Sequence, residues 1–262
     1  MVMKNIQQMW IQRNSIMNRI LMNNNIIVEI GNATVDDNKI VLKDGENYYL
    51  EFVNCTDISI EIVANDASLN IISLDNNFNS KIIYNITGYL KVYSFYNNNS
   101  VVENILVNLD KEGARVDYYF SSICKVNEKY NIDIFHNAKK TISNVYNKCI
   151  SIDSGNINFI INSYVYKDNI KCKLNQDTRI VTMGDNNAMV KPNMYIDLDD
   201  VEAFHSSNIG QFDNSLIFYL MSRGISYSDS IKLLIKGFLL SNMDNNVIKR
   251  KIVLDIINRY WG

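Results

Sequence analysis

From Ile26 to about Phe204, apolar and polar residues alternate with a period of two. Ile58, Ile60 and Ile62 interleave with Ser59 and Glu61, and Ile132 and Ile134 interleave with Asn131 and Asp133. Successive side chains of a strand point to opposite faces, so this pattern predicts strands with one buried face. Further strands are predicted at 39–42, 48–53, 69–74, 81–96, 101–109, 115–126, 143–152, 156–166, 179–183 and 194–198. No helical pattern interrupts them, which limits the architecture to a sandwich, a barrel or a β-solenoid. One proline and ten glycines are few for a hairpin-rich sandwich and favour a solenoid with corners made by asparagine and small polar residues. Asn23–Asn25 and Asn97–Asn99 fall between apolar runs and read as such corners, because asparagine tolerates the left-handed conformation.

Helical spacing frames this region. Ile6, Met9, Trp10, Met17, Ile20 and Leu21 recur at intervals near three and four, predicting one amphipathic helix over 4–22. After Gln211 the helical period returns. Asp213 is placed to cap a helix carrying Leu216, Ile217, Leu220 and Met221, and Gly224 to end it. Ser226 and Asp229 form a capping-box pattern before Ile231, Leu234, Ile235, Phe238 and Leu239. A third helix is predicted from about Asn245 to Trp261, with Lys249, Arg250 and Lys251 on its polar side. The chain thus divides into a helical segment (1–25), a β core (26–210) and a C-terminal helical domain (211–262).

Apolar residues make up 47% and charged residues 21%, as in soluble globular proteins. No segment approaches the ~18 uninterrupted apolar residues of a membrane span. The formal net charge of -2 supplies no positive field for nucleic acid. The amino terminus lacks the order of a secretory signal, so the expected location is the cytoplasm. Cys55, Cys124, Cys149 and Cys172 have neither disulfide-framework nor zinc-site spacing and are expected as buried small hydrophobes. No Gly-x-x-x-x-Gly-Lys-Ser/Thr loop is present, so ATP is not bound by that route.

Residues 190–238 are the most informative. A Lys191-Pro192 strand leads through Asp199-Asp200-Val201 to His205, and then to Phe218-Tyr219-Leu220-Met221-Ser222-Arg223-Gly224-Ile225. This resembles the C-terminal signature of the SufB/SufD family, scaffold subunits of iron–sulfur cluster assembly. Gly113-Ala114-Arg115-Val116-Asp117-Tyr118 and His136–Lys148 resemble two of the family's strand segments. The first hundred residues carry no matching motif. The resemblance implies a right-handed parallel β-helix with a C-terminal helical domain. It also implies a non-enzymatic scaffold that pairs through its β-helix with a SufB-like subunit or a second copy of itself. A SufC-like ABC ATPase would dock on the C-terminal helices, around Leu216, Tyr219, Arg223, Gly224 and Tyr227. The implied cofactor is a transient iron–sulfur cluster assembled at the subunit interface, supplied indirectly by a cysteine desulfurase or other sulfur donor.

His205 is the candidate cluster ligand, because a neutral imidazole nitrogen suits iron and histidine can replace cysteine in iron–sulfur ligation. Ser206 stands where SufB-like members carry glutamate and Asn187 near their cysteine, so the chain resembles the SufD side. A thiolate must then come from a partner or from Cys149 or Cys172. His136 is expected as a polar corner residue bonded to backbone. Two alternatives compete. A β-helix carbohydrate-active enzyme needs paired carboxylates or a calcium-binding aspartate cluster, for which Asp197, Asp199 and Asp200 are the candidates. An ATPase-binding scaffold without cluster chemistry needs only the helices.

Overall fold

The structure is a computed structural model that describes residues 18–184, 186–245 and 247–261. Its strands are β1 (Asn18–Asn23), β2 (Ile26–Glu29), β3 (Thr34–Asp36), β4 (Lys39–Val41), β5 (Glu46–Val53), β6 (Asp57–Leu74), β7 (Asn77–Asn97) and β8 (Ser100–Leu109). They continue as β9 (Arg115–Cys124), β10 (Asn127–His136), β11 (Ile142–Ile152), β12 (Asn156–Val165), β13 (Cys172–Met183), β14 (Asn187–Ile196) and β15 (Val201–Gly210). Three helices follow: α1 (Asn214–Ser222), α2 (Tyr227–Leu240) and α3 (Val247–Trp261).

Apart from β2 and β3, which pair antiparallel with β1 and β4, the strands stack in parallel as a β-solenoid of about 7 turns, 61% of the structure being strand. One face runs from β4 through the first halves of β6 and β7 to β8, β10, β12 and β14. The other runs from β1 through β5 and the second halves of β6 and β7 to β9, β11, β13 and β15. The long strands β6 and β7 each serve both faces by turning a corner. A Cβ at Gly88 would collide with the Asn65 carbonyl of the coil beneath, so the β7 corner requires glycine. Other corners use residues in the left-handed region, among them Asn24, Asn25, Asp75 and Asp153.

The alternation read from the sequence becomes columns of stacked side chains. Ile60, Ile82, Ile105, Ile132 and Ile161 stand in register and buried, and Pro192 ends the column on the last coil. Pro192 lies on the edge strand β14, where a missing backbone donor is tolerated. On the outer surface, side-chain amides form ladders. Asn162 donates to Asp133 at 2.7 Å and Asn193 donates to Asn162 at 2.8 Å. Phe135, Tyr164 and Tyr195 stack at 4.7 and 4.9 Å. The step between stacked residues varies, from 21 for Glu46 and Ala67 to 31 for Asn162 and Asn193, so no fixed repeat is visible in the sequence.

The expected helix over 4–22 lies largely outside the described residues, but Asn18–Asn23 is strand β1. Pairing with β5 overrides the helical spacing there: Ile20 and Met22 enter the core, and Arg19 is buried in ion pairs with Glu51 at 2.7 Å and Glu29 at 2.9 Å. The C-terminal helices match their sequence signals. The Asp213 carboxylate accepts from Ser215 N at 2.8 Å, the Ser226 hydroxyl accepts from Asp229 N at 3.1 Å, and Gly224 has φ +85. Helices α2 and α3 cover the second face, burying Ile235, Leu239, Val253, Ile256 and Ile257 against Phe95, Ile123 and Ile150. Lys249, expected on the polar side of α3, is instead buried; its ammonium donates to the Tyr93 carbonyl at 2.8 Å and to Asn70 Oδ1 at 3.2 Å.

Candidate functional site

Two surfaces of this fold lack the cover that the rest of it has. The first is the open end of the solenoid. Inward positions of β13 (Cys172, Leu174, Gln176, Thr178 and Ile180) are buried because another coil lies above each. That coil is β15, whose Val201, Ala203, His205, Ser207 and Ile209 stand in register over them. Among the described residues no strand pairs with β15 on its other side. His205, Ser207 and Ile209 therefore face inward by register and are still exposed. Across the lumen, Pro192 and Met194 of β14 close the same rim and are half-buried. Both strands also present an unpaired edge, the feature through which sheets accept another strand.

The site residues named from sequence do not converge here. Cys172 lies under Val201, four residues along the strand from the His205 position, about 13 Å at the strand rise. Its thiol is buried, donating to the Asn169 carbonyl at 3.1 Å, with the Thr141 hydroxyl at 3.2 Å. Cys149 is one coil deeper, under Ile180, and fully buried. Burial raises its thiol pKa well above the ordinary range, so the reactive thiolate is suppressed. Among the described residues no group of three or more His, Cys, Asp or Glu side chains is arranged to hold a metal ion. Of the metal-ligand candidates named from sequence, only His205 reaches the rim, and neither Cys149 nor Cys172 lies beside it.

His136 is a structural residue of a different kind from the one expected. It ends β10 in the interior, and its ring bonds the Thr141 hydroxyl at 2.7 Å and the Ser143 hydroxyl at 2.9 Å, side chains in place of backbone. Burial lowers its pKa to about 4, so the ring is neutral. Asp197, Asp199 and Asp200 fall in the corner between β14 and β15, beyond the strand expected to run to residue 198.

The second uncovered surface is α1 and the turn after it. Of the apolar residues on α1 only Ile217 is buried, while Leu216 is 48%, Phe218 68% and Tyr219 57% exposed. Tyr227, beyond the Gly224 turn, is 61% exposed, and the Arg223 guanidinium lies 5.3 Å from the Tyr219 ring centroid. Contiguous exposed apolar side chains of this kind mark an interaction surface. Phe218 was not singled out from sequence, because helical spacing alone leaves open how much of a stripe its own domain covers. Beside α1, a cleft of about 560 Å³ between the last coils and the helices is lined by Met183, Phe212, Tyr227, Arg259 and Trp261.

Comparison with known proteins bears on these surfaces. The family profile described as SUF system FeS cluster assembly, SufBD core domain, matches residues 53–238. The iron–sulfur cluster assembly protein SufD of Bacillus subtilis (strain 168) is 27% identical over 135 residues, which are 50% of this chain and 31% of that protein. SufD of Escherichia coli (strain K12) is 33% identical over 75 residues, 28% of this chain and 18% of its own. A SufBD family protein of Mycobacterium leprae (strain TN) is 46% identical over 48 residues, 18% of this chain and 12% of its own. Each match takes in less than a third of the relative's length. No helix among the described residues is long and apolar enough to cross a membrane.

Proposed function

The chain belongs to the SufBD core family of the SUF iron–sulfur assembly system, and from that premise we propose that it works as a SufD-like scaffold subunit without catalytic residues of its own. The observation that carries this reading is His205 on an open solenoid rim where, among the described residues, no group of three or more His, Cys, Asp or Glu side chains is arranged to hold a metal ion. One imidazole cannot hold a cluster. A second solenoid laid against β14 and β15 would pair the free edges, cover Ile209 and Phe204, and bring a thiolate of its own to the imidazole. That partner is a SufB-like subunit or a second copy of this chain, and the cluster is cargo built between the two. Sulfur reaches it indirectly from a donor such as a cysteine desulfurase.

Energy enters through the other surface. A SufC-like ABC ATPase docks on Leu216, Tyr219, Arg223 and Tyr227 around the Gly224 turn, with Phe218 the largest apolar anchor. ATP is bound and hydrolysed by that subunit. Its closure would draw on α1, which is joined to β15 by only residues 211–213, and so act on the rim that carries His205. The carbohydrate-active alternative loses support, since its aspartates lie in a corner and form no metal-holding group among the described residues. The scaffold without cluster chemistry shares the docking half and differs at His205.

Anaerobic co-expression with the ATPase and a SufB-like partner, with iron, sulfide and absorption measured on the purified complex, tests the reading. His205→Ala is expected to keep the melting temperature and the ATPase, because an exposed side chain contributes within about 0.5 kcal/mol of stability. Cluster yield should fall about tenfold or more. Wild-type iron and sulfide in the variant would assign His205 a structural role and leave the docking function alone.

A further inference from the structure

Gln176 stands directly beneath His205 on the neighbouring coil, at an inward, buried position. Its Nε2 donates to the Ser163 hydroxyl at 2.8 Å and to the Asn193 backbone carbonyl at 3.3 Å. A backbone carbonyl only accepts, so the amide nitrogen must face Asn193 and the orientation of the amide is fixed. That leaves Oε1 as an acceptor that is buried and has no hydrogen-bond partner among the described residues. Buried acceptors are seldom left so. The inward neighbours Leu174, Ala203, Pro192 and Met194 carry no side-chain donor, and the Thr178 hydroxyl, which accepts from the Asn147 amide at 2.9 Å, makes no bond to Oε1. The ring stacked over Gln176 in register does have an N–H.

We infer that Gln176 is a positioning residue for His205: with the imidazole turned inward over it, its orphan carbonyl oxygen accepts the ring N–H from below and holds the ring in one tautomer. The other ring nitrogen is then the unprotonated one and is turned toward the open rim, where iron would bind. A histidine that donates one ring nitrogen to a carbonyl is oriented and made a better ligand through the other. The interior-facing glutamine thus has a role that its burial alone does not explain. The inference rests on the reading of His205 as a ligand, and its test uses the free chain so that the two can fail separately.

The measurement is the ring-nitrogen NMR of the metal-free full chain at a pH where imidazoles are neutral. The chain has only 2 histidines, so the assignment is simple. In the wild type, His205 should favour one tautomer by about tenfold, the ratio set by one net hydrogen bond. Gln176→Leu should bring the ratio to within about twofold of that in a free imidazole, and Gln176→Glu, which keeps an acceptor oxygen, should restore the bias. An unbiased wild-type ring overturns the inference even if the leucine variant fails to fold. So does a bias that survives Gln176→Leu. Neither outcome bears on cluster yield in His205→Ala, which tests the ligand role itself.

Discussion

Replacing Lys249 with methionine probes how the helical layer is fastened to the solenoid. The lysine is fully buried, its ammonium bonded to the Tyr93 carbonyl and Asn70 Oδ1 and lying 5.4 Å from the Tyr93 ring centroid. Burial lowers its pKa from 10.5 to about 7, against an opposing pull from the Asp244 carboxylate. The unfolded chain holds the proton to about pH 10.5 and the folded chain only to about pH 7, so unfolding takes up a proton between them. Stability contributed at this site therefore rises with pH across that window. At ~1.4 kcal/mol per pH unit the full span is worth on the order of 5 kcal/mol, and the step from about pH 7 to about pH 8.5 on the order of 2 kcal/mol.

Methionine has similar reach and no charge, so Lys249→Met should be more stable than wild type at or below neutral pH, and its advantage should shrink as pH rises. Urea unfolding followed by circular dichroism, at several pH values for both proteins, reads this as a difference curve. The difference matters because other groups titrate as well. Burial raises Glu103 and Glu128 to about 7 inside the solenoid, and each lowers stability as pH climbs from the ordinary carboxyl range through about 7. Those contributions cancel between the two proteins. Parallel curves, with a constant gap from about pH 6 to about pH 8.5, would refute the reasoning and mean that the ammonium is not desolvated as its burial implies.

The proposed docking surface has its own test: Phe218→Asp should weaken ATPase binding by about thirtyfold or more while leaving the melting temperature unchanged, as read by calorimetric titration and thermal unfolding. A point substitution is the better tool there than removal of residues 213–262, because α2 and α3 cover Phe95, Ile123 and Ile150 and their loss would bare an apolar sheet face. Cys149 and Cys172 should resist a thiol reagent in the folded chain and react only on unfolding, since both are buried. Rapid native labelling of either would put an internal thiolate back among the sulfur acceptors.

Alternation along the chain, a local property of extended backbone, placed most of the strands, but β2, β3 and β15 were not among the predicted segments, and β13 and β14 were predicted only at 179–183 and 194–198. Asp213, Ser226 and Gly224 likewise announce their helix ends, because capping involves only neighbouring residues. The family motif around Asp199, Asp200 and His205 was legible too. Hidden was everything that depends on residues brought together from different coils. Asn18–Asn23 has helical spacing in sequence and becomes a strand because β5 lies beside it. Lys249 reads as a solvated lysine among Arg250 and Lys251, and only the packing of α3 on Asn70 and Tyr93 encloses it. Gln176 and His205 are two inward positions like many others until stacking sets one over the other on the last coil. Tertiary structure decided these points because the step between stacked residues varies from coil to coil, so no local rule fixes which residues meet or which coil is left uncovered.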